Sequence, residues 1–60
     1  MKSVKCFSIA ESENLHCDVF YDAGNYYAKV LQCNKCIAIY GPNKIKESLI
    51  KEVIQAFNFL

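Results

Sequence analysis

Four short runs, at residues 4–10, 15–21, 26–32 and 36–40, are rich in hydrophobic residues, and the first two alternate between hydrophobic and polar positions. Alternation with a period of two is typical of strands that bury one face, and the runs are rich in β-branched and aromatic residues. Polar or glycine-containing segments separate them, at residues 11–14, 22–25 and 34–35. The pattern predicts an antiparallel β-meander of three to four strands.

A helical period replaces the alternation after residue 43. Between residues 44 and 59 the apolar positions recur every three or four residues: Ile45, Leu49, Ile50, Val53, Ile54 and Phe57. This spacing predicts one C-terminal amphipathic helix over residues 44–59, with Asn43 as its N-cap and Gly41-Pro42-Asn43 ending the sheet. The apolar arc is wider than one small sheet covers, so we expect part of it to serve a partner or a second subunit. The predicted fold class is α+β.

Tight hairpins at residues 23–24 and 34–35 would set the register of the last three strands. The cross-strand pairs are then Asp18 with Lys29, Phe20 with Tyr27, His16 with Leu31, Val30 with Ile39, and Gln32 with Ile37. The predicted core face comprises Leu15, Cys17, Val19, Tyr21, Tyr26, Ala28, Val30, Ile37 and Ile39. The opposite face is mixed and comprises His16, Asp18, Phe20, Tyr27, Lys29, Leu31 and Tyr40, with Phe7 added from the first strand.

Composition agrees with a folded chain and limits its size. The 60 residues are 53% hydrophobic and 22% charged, which predicts a single small domain over residues 1–60. A chain this short buries only roughly 60% of the surface that its unfolded form exposes. We therefore expect a metal ion, disulfides or a homodimer to add stability.

Charge argues against nucleic acid as the first choice of partner. The formal net charge is +1 and all seven basic residues are lysine, so the chain lacks the arginine fork that reads guanine and clamps phosphate. The N-terminal run is too short and too interrupted for a signal peptide or a membrane span. These features predict a cytoplasmic protein, in the host cytoplasm if the source is viral.

Four cysteines and one histidine are the candidate metal ligands. Cys33 and Cys36 have Cys-x-x-Cys spacing between two predicted strands, where a zinc knuckle would place two thiolates. No second pair has this spacing, so the other ligands would be Cys6 and His16, with Cys17 as the alternative fourth ligand. The predicted register places His16 on the face of Cys33 and turns Cys17 toward the core.

Two metal-free arrangements compete with zinc. If the first two strands turn at residues 11–12, Cys6 faces Cys17, and the two either stay reduced in the core or form a bridge on oxidation. Cys33 and Cys36 are then a free pair. Redox catalysis fits poorly, because no helix N-terminus lowers a thiol pKa, and the single His16 lacks a nucleophile and an orienting group. We expect no enzyme.

The order of short motifs along the chain is similar to a known family. The matching segments are, in order, Cys6, Ser12-Glu13-Asn14-Leu15, Tyr26-Tyr27-Ala28-Lys29-Val30, Cys33-Asn34-Lys35-Cys36, Gly41-Pro42 and Ile54-Gln55-Ala56-Phe57-Asn58. In this order the chain resembles the Lar family of phage and prophage restriction-alleviation proteins, which are zinc ribbons. The first knuckle is degenerate, because Ile9 stands where the family has its second cysteine and Ala10 replaces the glycine after it. The opening residues 1–6 are also similar to the Com zinc-finger translational regulators of Mu-like phages.

The resemblance implies a small phage protein with a zinc-ribbon-like fold, which counters host defence by antirestriction. It would bind a host protein of a restriction or other antiviral defence system and modulate or inhibit it. We expect the binding surface to include Phe20, Tyr27, Lys29 and Tyr40, because aromatic residues dominate binding energy at protein interfaces. The alternative is a zinc-ribbon regulator of transcription or translation that binds nucleic acid through Lys29, Lys35 and Lys44.

Overall fold

The computed structural model describes residues 2–57. Four strands follow one another along the chain: β1 (Lys2–Ala10), β2 (Leu15–Asp22), β3 (Asn25–Gln32) and β4 (Lys35–Asn43). A single 3-10 turn (Glu11–Glu13) joins β1 to β2, and one helix, α1 (Lys46–Ala56), ends the described chain. The strands form one antiparallel sheet in the order β1-β2-β3-β4. The predicted α+β meander with a C-terminal helix is confirmed.

The core lies between one face of the sheet and α1. Leu15, Cys17 and Val19 of β2 are buried, as are Ala28 and Val30 of β3. These five are among the seven core positions predicted for the two central strands, the other two being Tyr21 and Tyr26. From α1, the buried side chains are Leu49 and Val53, which lie four residues apart on one face of the helix.

The β2–β3 register is the predicted one. Asp18 pairs with Lys29, Phe20 with Tyr27 and His16 with Leu31. Ala23 and Gly24 occupy the turn with φ of 51° and 83°. Positive φ at both central residues matches the right-handed twist of the flanking strands, which explains why this hairpin is regular.

The β3–β4 register differs from the prediction. The turn lies one residue earlier than predicted, at Cys33 and Asn34, both with positive φ. Lys35 therefore pairs with Gln32, and Val30 pairs with Ala38 where Ile39 was expected. The register shifts between Val30 and Leu31, where β4 holds Ile37 as an extra residue.

This shift exchanges the two faces of β4. Ile37 and Ile39 are 48% and 63% exposed, so their predicted place in the core is wrong. Tyr40 packs against the core and meets the Phe57 ring edge-on at 6.4 Å, so its predicted place on the opposite face is wrong. A one-residue slip turns every following side chain over, because strand side chains alternate between faces.

Three smaller expectations are also corrected. β4 continues through Gly41 and Pro42 to Asn43, where the sheet was expected to stop earlier. The helix begins at Lys46, and Asn43 Oδ1 accepts the Ile45 N–H at 2.9 Å one turn ahead of it, so Asn43 is not the N-cap. The helix ends at Ala56, and the part of its predicted range at residues 58–59 lies outside the described residues.

On edge strand β1 and next to the β2–β3 turn, the predicted side-chain positions are also partly wrong. Phe7 pairs with Cys17 and packs against the core, away from its predicted face. Tyr21 is 41% exposed, whereas the core was expected. Tyr26 packs against the core as predicted.

Candidate functional site

The sheet face that points away from α1 carries aromatic, charged and aliphatic side chains next to one another. It is called here the outer face, and its central residues are His16, Asp18, Phe20, Tyr27, Lys29 and Leu31. β1 and β4 extend the rows of this face through Cys6, which pairs with Asp18, and Ile39, which pairs with Lys29. The six central side chains are all half-buried, although no second layer of the described chain covers them.

An aromatic pair and a cation stand together on this face. The Phe20 and Tyr27 rings stack with centroids 5.6 Å apart and planes 16° from parallel. Lys29 Nζ lies over the Phe20 ring, 5.6 Å from its centroid. Offset stacking and cation–π attraction each contribute on the order of 1 kcal/mol, so the three side chains hold one another in place.

Gly41 makes room for this pair. A Cβ at Gly41, which has a φ of +113°, would lie 2.7 Å from the Tyr26 carbonyl oxygen and 3.2 Å from Tyr27 Cδ2. Only glycine fits a positive φ and so close a backbone. The glycine therefore lets β4 lie against Tyr27.

The charges on the outer face nearly cancel. Asp18 stands opposite Lys29 in the register, and its Oδ1 accepts a hydrogen bond from Ser3 Oγ at 2.7 Å. One acid and one base at the centre, with aromatic and aliphatic groups around them, is the composition of many protein interfaces. A phosphate backbone would instead call for a cluster of cations.

The predicted metal ligands are distributed over the sheet. Cys6 is exposed on β1 and Cys33 is exposed at the β3–β4 turn. Cys36 is exposed on β4, where Sγ donates to the Ala38 carbonyl at 3.7 Å. Within residues 2–57, no three His, Cys, Asp or Glu side chains gather closely enough to hold a metal ion. The predicted set of Cys6, His16, Cys33 and Cys36 is therefore not brought together, and zinc stays a prediction.

Asn14 joins two of these groups. Its Oδ1 lies 3.2 Å from His16 Nε2, and its Nδ2 donates to Cys33 Sγ at 3.7 Å. The Cys33 N–H also donates to the Asn14 carbonyl at 3.2 Å. Asn14 has a φ of 55°, a conformation that asparagine tolerates well, and from there it ties the β1–β2 connection to the β3–β4 turn.

Cys17 is a core residue. It is fully buried and pairs with Phe7, so the predicted alternative in which Cys6 faces Cys17 is wrong, since Cys6 pairs with Asp18. Burial raises the pKa of the Cys17 thiol to about 11, and the Asp18 carboxylate and Cys6 add to this shift. All four cysteines are free thiols. A neutral buried thiol is a poor nucleophile and a poor metal ligand.

A second surface lies along α1. An open groove of about 410 Å³ is lined by Glu47, Ile50, Lys51, Ile54 and Gln55. Ile54 is 48% exposed, and Ile45, just ahead of the helix, is 60% exposed. The predicted excess of apolar surface on the helix is therefore present, and it flanks the residues that pack on the sheet.

Sequence reasoning missed three contributors to these surfaces. The sequence pattern places Ile39 in the core, marks Gly41 only as a residue that ends the sheet, and marks Asn14 only as part of a polar turn. The tolerance of asparagine for positive φ was a usable signal for Asn14. Nothing local marked Ile39 or Gly41, because their roles depend on the register of β4.

Of the four predicted binding residues, the structure places Phe20, Tyr27 and Lys29 together on the outer face, and Tyr40 on the other face. No helix within residues 2–57 has the length and apolar character needed to cross a membrane. In comparisons with protein-family models, with curated proteins and with solved structures, nothing matches this chain.

Proposed function

We propose that this protein acts by binding another protein through its outer face, and that it performs no chemistry itself. The observation that carries the proposal is the Phe20–Tyr27 stack with Lys29 over it, on the two central strands of an uncovered sheet face. Rigid aromatic side chains lose little conformational entropy on binding, which is why they contribute most of the energy at many interfaces.

The composition of the face indicates the chemistry of its partner. A matching surface would present apolar groups to Phe20, Tyr27 and Ile39, and an acidic side chain to the Lys29 ammonium. The class of partner comes from the resemblance to the Lar family alone: a host protein of a restriction or other antiviral defence system, which the bound protein would inhibit. Cytoplasmic action in an infected cell follows from that class.

A nucleic-acid regulator is the second candidate, and one observation favours it. Two stacked rings on adjacent central strands also form a platform on which bases can stack. Charge weighs against it, because Lys29 is balanced by Asp18 directly opposite. The salt dependence of binding separates the two candidates. Affinity for nucleic acid falls steeply as the salt concentration rises, because binding releases counterions, whereas the affinity of a mostly apolar protein contact changes little.

Substitution of the aromatic pair tests the proposed function. Phe20→Ala or Tyr27→Ala should weaken capture of restriction subunits from a restricting host by roughly tenfold or more, the loss typical of an aromatic anchor. The same variants should lower the plating efficiency of unmodified phage on that host. Both readouts are measured with the full chain expressed in the restricting cells.

Tyr21→Ala is the matched control, because Tyr21 is 41% exposed but belongs to the face that bears α1. It should retain wild-type capture and plating. Equal losses for Tyr21→Ala and Phe20→Ala, or full activity of both outer-face variants, would contradict the assignment of the outer face.

A further inference from the structure

On the outer face, the charged and aromatic residues of β2 stand opposite charged and aromatic residues of β3. Across the line midway between β2 and β3, Asp18 stands opposite Lys29, Phe20 opposite Tyr27, and His16 opposite Leu31. The outer rows continue the pattern, with Cys6 beyond Asp18 and Ile39 beyond Lys29. The acid thus stands opposite the base and one aromatic ring opposite the other, and no charge stands opposite its own sign.

We propose that a second copy of this chain covers the outer face, about a two-fold axis that lies in the interface, parallel to β2 and β3 and midway between them. Rotation about this axis places β2 of one copy over β3 of the other. Each outer-face residue has a cross-strand partner in its own sheet. In the dimer, it faces that same partner residue on the second copy. The result is an aligned two-sheet sandwich with both helices outside.

Charge complementarity selects a second copy as the occupant. Asp18 faces Lys29 of the second copy, and Lys29 faces Asp18 of the second copy, so two ion pairs form at the centre. This central row stays in register even when the sheets pack about 30° from parallel, because displacement grows with distance from the centre. Ion pairs at such a position determine orientation and register more than affinity.

The apolar groups complement one another in the same arrangement. Phe20 faces Tyr27 of the second copy, so four aromatic rings meet at one end of the interface. Ile39, which is 63% exposed in the single chain, faces the edge strand that carries Cys6. Burial of aromatic and aliphatic surface supplies the free energy of association.

Edge-to-edge pairing is the less favourable way to join two sheets here. Both edge strands carry two register irregularities: Val4 and Ile9 are extra residues in β1, Ile37 is an extra residue in β4, and Gly41-Pro42 of β4 stands against the single Tyr27. Bulges and proline on an edge strand disturb the row of backbone groups that another strand would need. A face, in contrast, needs no free backbone groups.

The size of the face predicts a weak dimer. Four strands spaced about 4.8 Å apart and three residue rows about 6.8 Å apart give a footprint of roughly 400 Å² on each copy. Interfaces of this size are typical of transient association. The inference does not rest on the proposed function, but the second copy and a protein partner would compete for the same face.

Charge reversal and mixing test the proposal by sedimentation equilibrium of the full chain over a wide concentration range. The wild type should dimerise reversibly. Asp18→Lys alone places lysines against lysines, and Lys29→Asp alone places aspartates against aspartates, so each should raise the dissociation constant at least tenfold. An equimolar mixture of the two variants should recover a heterodimer at least as well as the wild type dimerises, because both facing pairs are then opposite in charge.

The mixture separates an interface effect from a folding effect, since each variant is present unchanged in it. Circular dichroism of each variant checks that it is folded, and Asp18→Lys combined with Lys29→Asp in one chain should also recover the dimer. Ile54→Lys, on the helix groove, should leave the dissociation constant unchanged. A monomeric wild type, a mixture that stays monomeric, or a dimer abolished by Ile54→Lys would overturn the proposal. A wild-type chain that dimerises as expected but captures no restriction subunit would refute the proposed function alone.

Discussion

Gly41 shows how much a single position contributes to this sheet. It sits where β4 holds two residues against the single Tyr27 of β3, and the backbone of β3 passes within 2.7 Å of where its Cβ would be. Gly24 also has a positive φ, but a Cβ there would meet nothing within 4 Å. A substitution at Gly24 therefore costs only the strain of a positive φ, whereas one at Gly41 also costs a steric clash.

We expect Gly41→Ala to lower the free energy of unfolding by roughly 2–4 kcal/mol, because a left-handed φ and a backbone clash act together. Gly24→Ala should cost only about 1 kcal/mol, the conformational part alone. Urea unfolding followed by circular dichroism measures both. Equal losses at the two sites would mean that β4 does not pack on Tyr27 as described.

Asn14, His16 and Cys33 show what residue chemistry alone leaves open. By residue type, His16 and Cys33 are predicted metal ligands together with Cys6 and Cys36. In the folded chain, the Asn14 side-chain amide bridges His16 and Cys33. Ligand type and spacing are properties of the sequence. Convergence of ligands depends on how separate turns meet, and here the turns meet through Asn14.

At the scale of elements, the most predictable parts are those with a single strong period. β2 and β3 lie between turns of clear chemistry and bury every second residue at their centres, so their bounds could be predicted to within one residue and their mutual register in full. α1 was predicted from its stripe, and it begins two residues later than expected, at Lys46, because Ile45 before it is still in an extended conformation. The edge strands were the least predictable, because each carries extra residues that break the period of two.

The helix is held to the sheet by few side chains. Leu49 and Val53 are fully buried, whereas Ile54 on the same helix is 48% exposed. We expect Leu49→Ala to lower the free energy of unfolding by about 2–5 kcal/mol, through lost burial and the cavity that remains. Ile54→Ala, the matched control, should change it by less than about 1 kcal/mol, because little apolar surface is removed from the core.

Denaturant midpoints for the two variants check this expectation. A large loss for Ile54→Ala with a small loss for Leu49→Ala would mean that the helix is rotated relative to the sheet. In that case the groove beside Ile54 would belong to the core, and it would not be free to meet a partner.

On the scale of the whole molecule, stability should depend on alkaline pH through Cys17, which is buried in the core. An ordinary thiol has a pKa of 9.0, whereas that of Cys17 is raised to about 11, mainly by burial. Between these values the unfolded chain loses the proton and the folded chain keeps it. The free energy of unfolding should therefore fall as the pH rises from 9 toward 11, by up to roughly 2–3 kcal/mol.

Cys17→Ala removes this titration and so separates it from every other effect of pH on the chain. The variant should be less stable than the wild type near neutral pH because of the cavity, and the difference between them should shrink as the pH approaches 11. Urea unfolding at several pH values measures it. A constant difference across this range would show that the Cys17 thiol ionises in the fold as readily as in the unfolded chain.

The sequence by itself determined the order of the elements, the buried positions of β2 and β3 and the apolar stripe of α1. These follow from local periodicity and turn chemistry, which each segment carries regardless of its neighbours. Only the tertiary structure decided the register of β4, and with it the places of Ile39 and Tyr40. An extra residue is accommodated by the packing of two strands against each other, and one such residue exchanges the core face for the outer face.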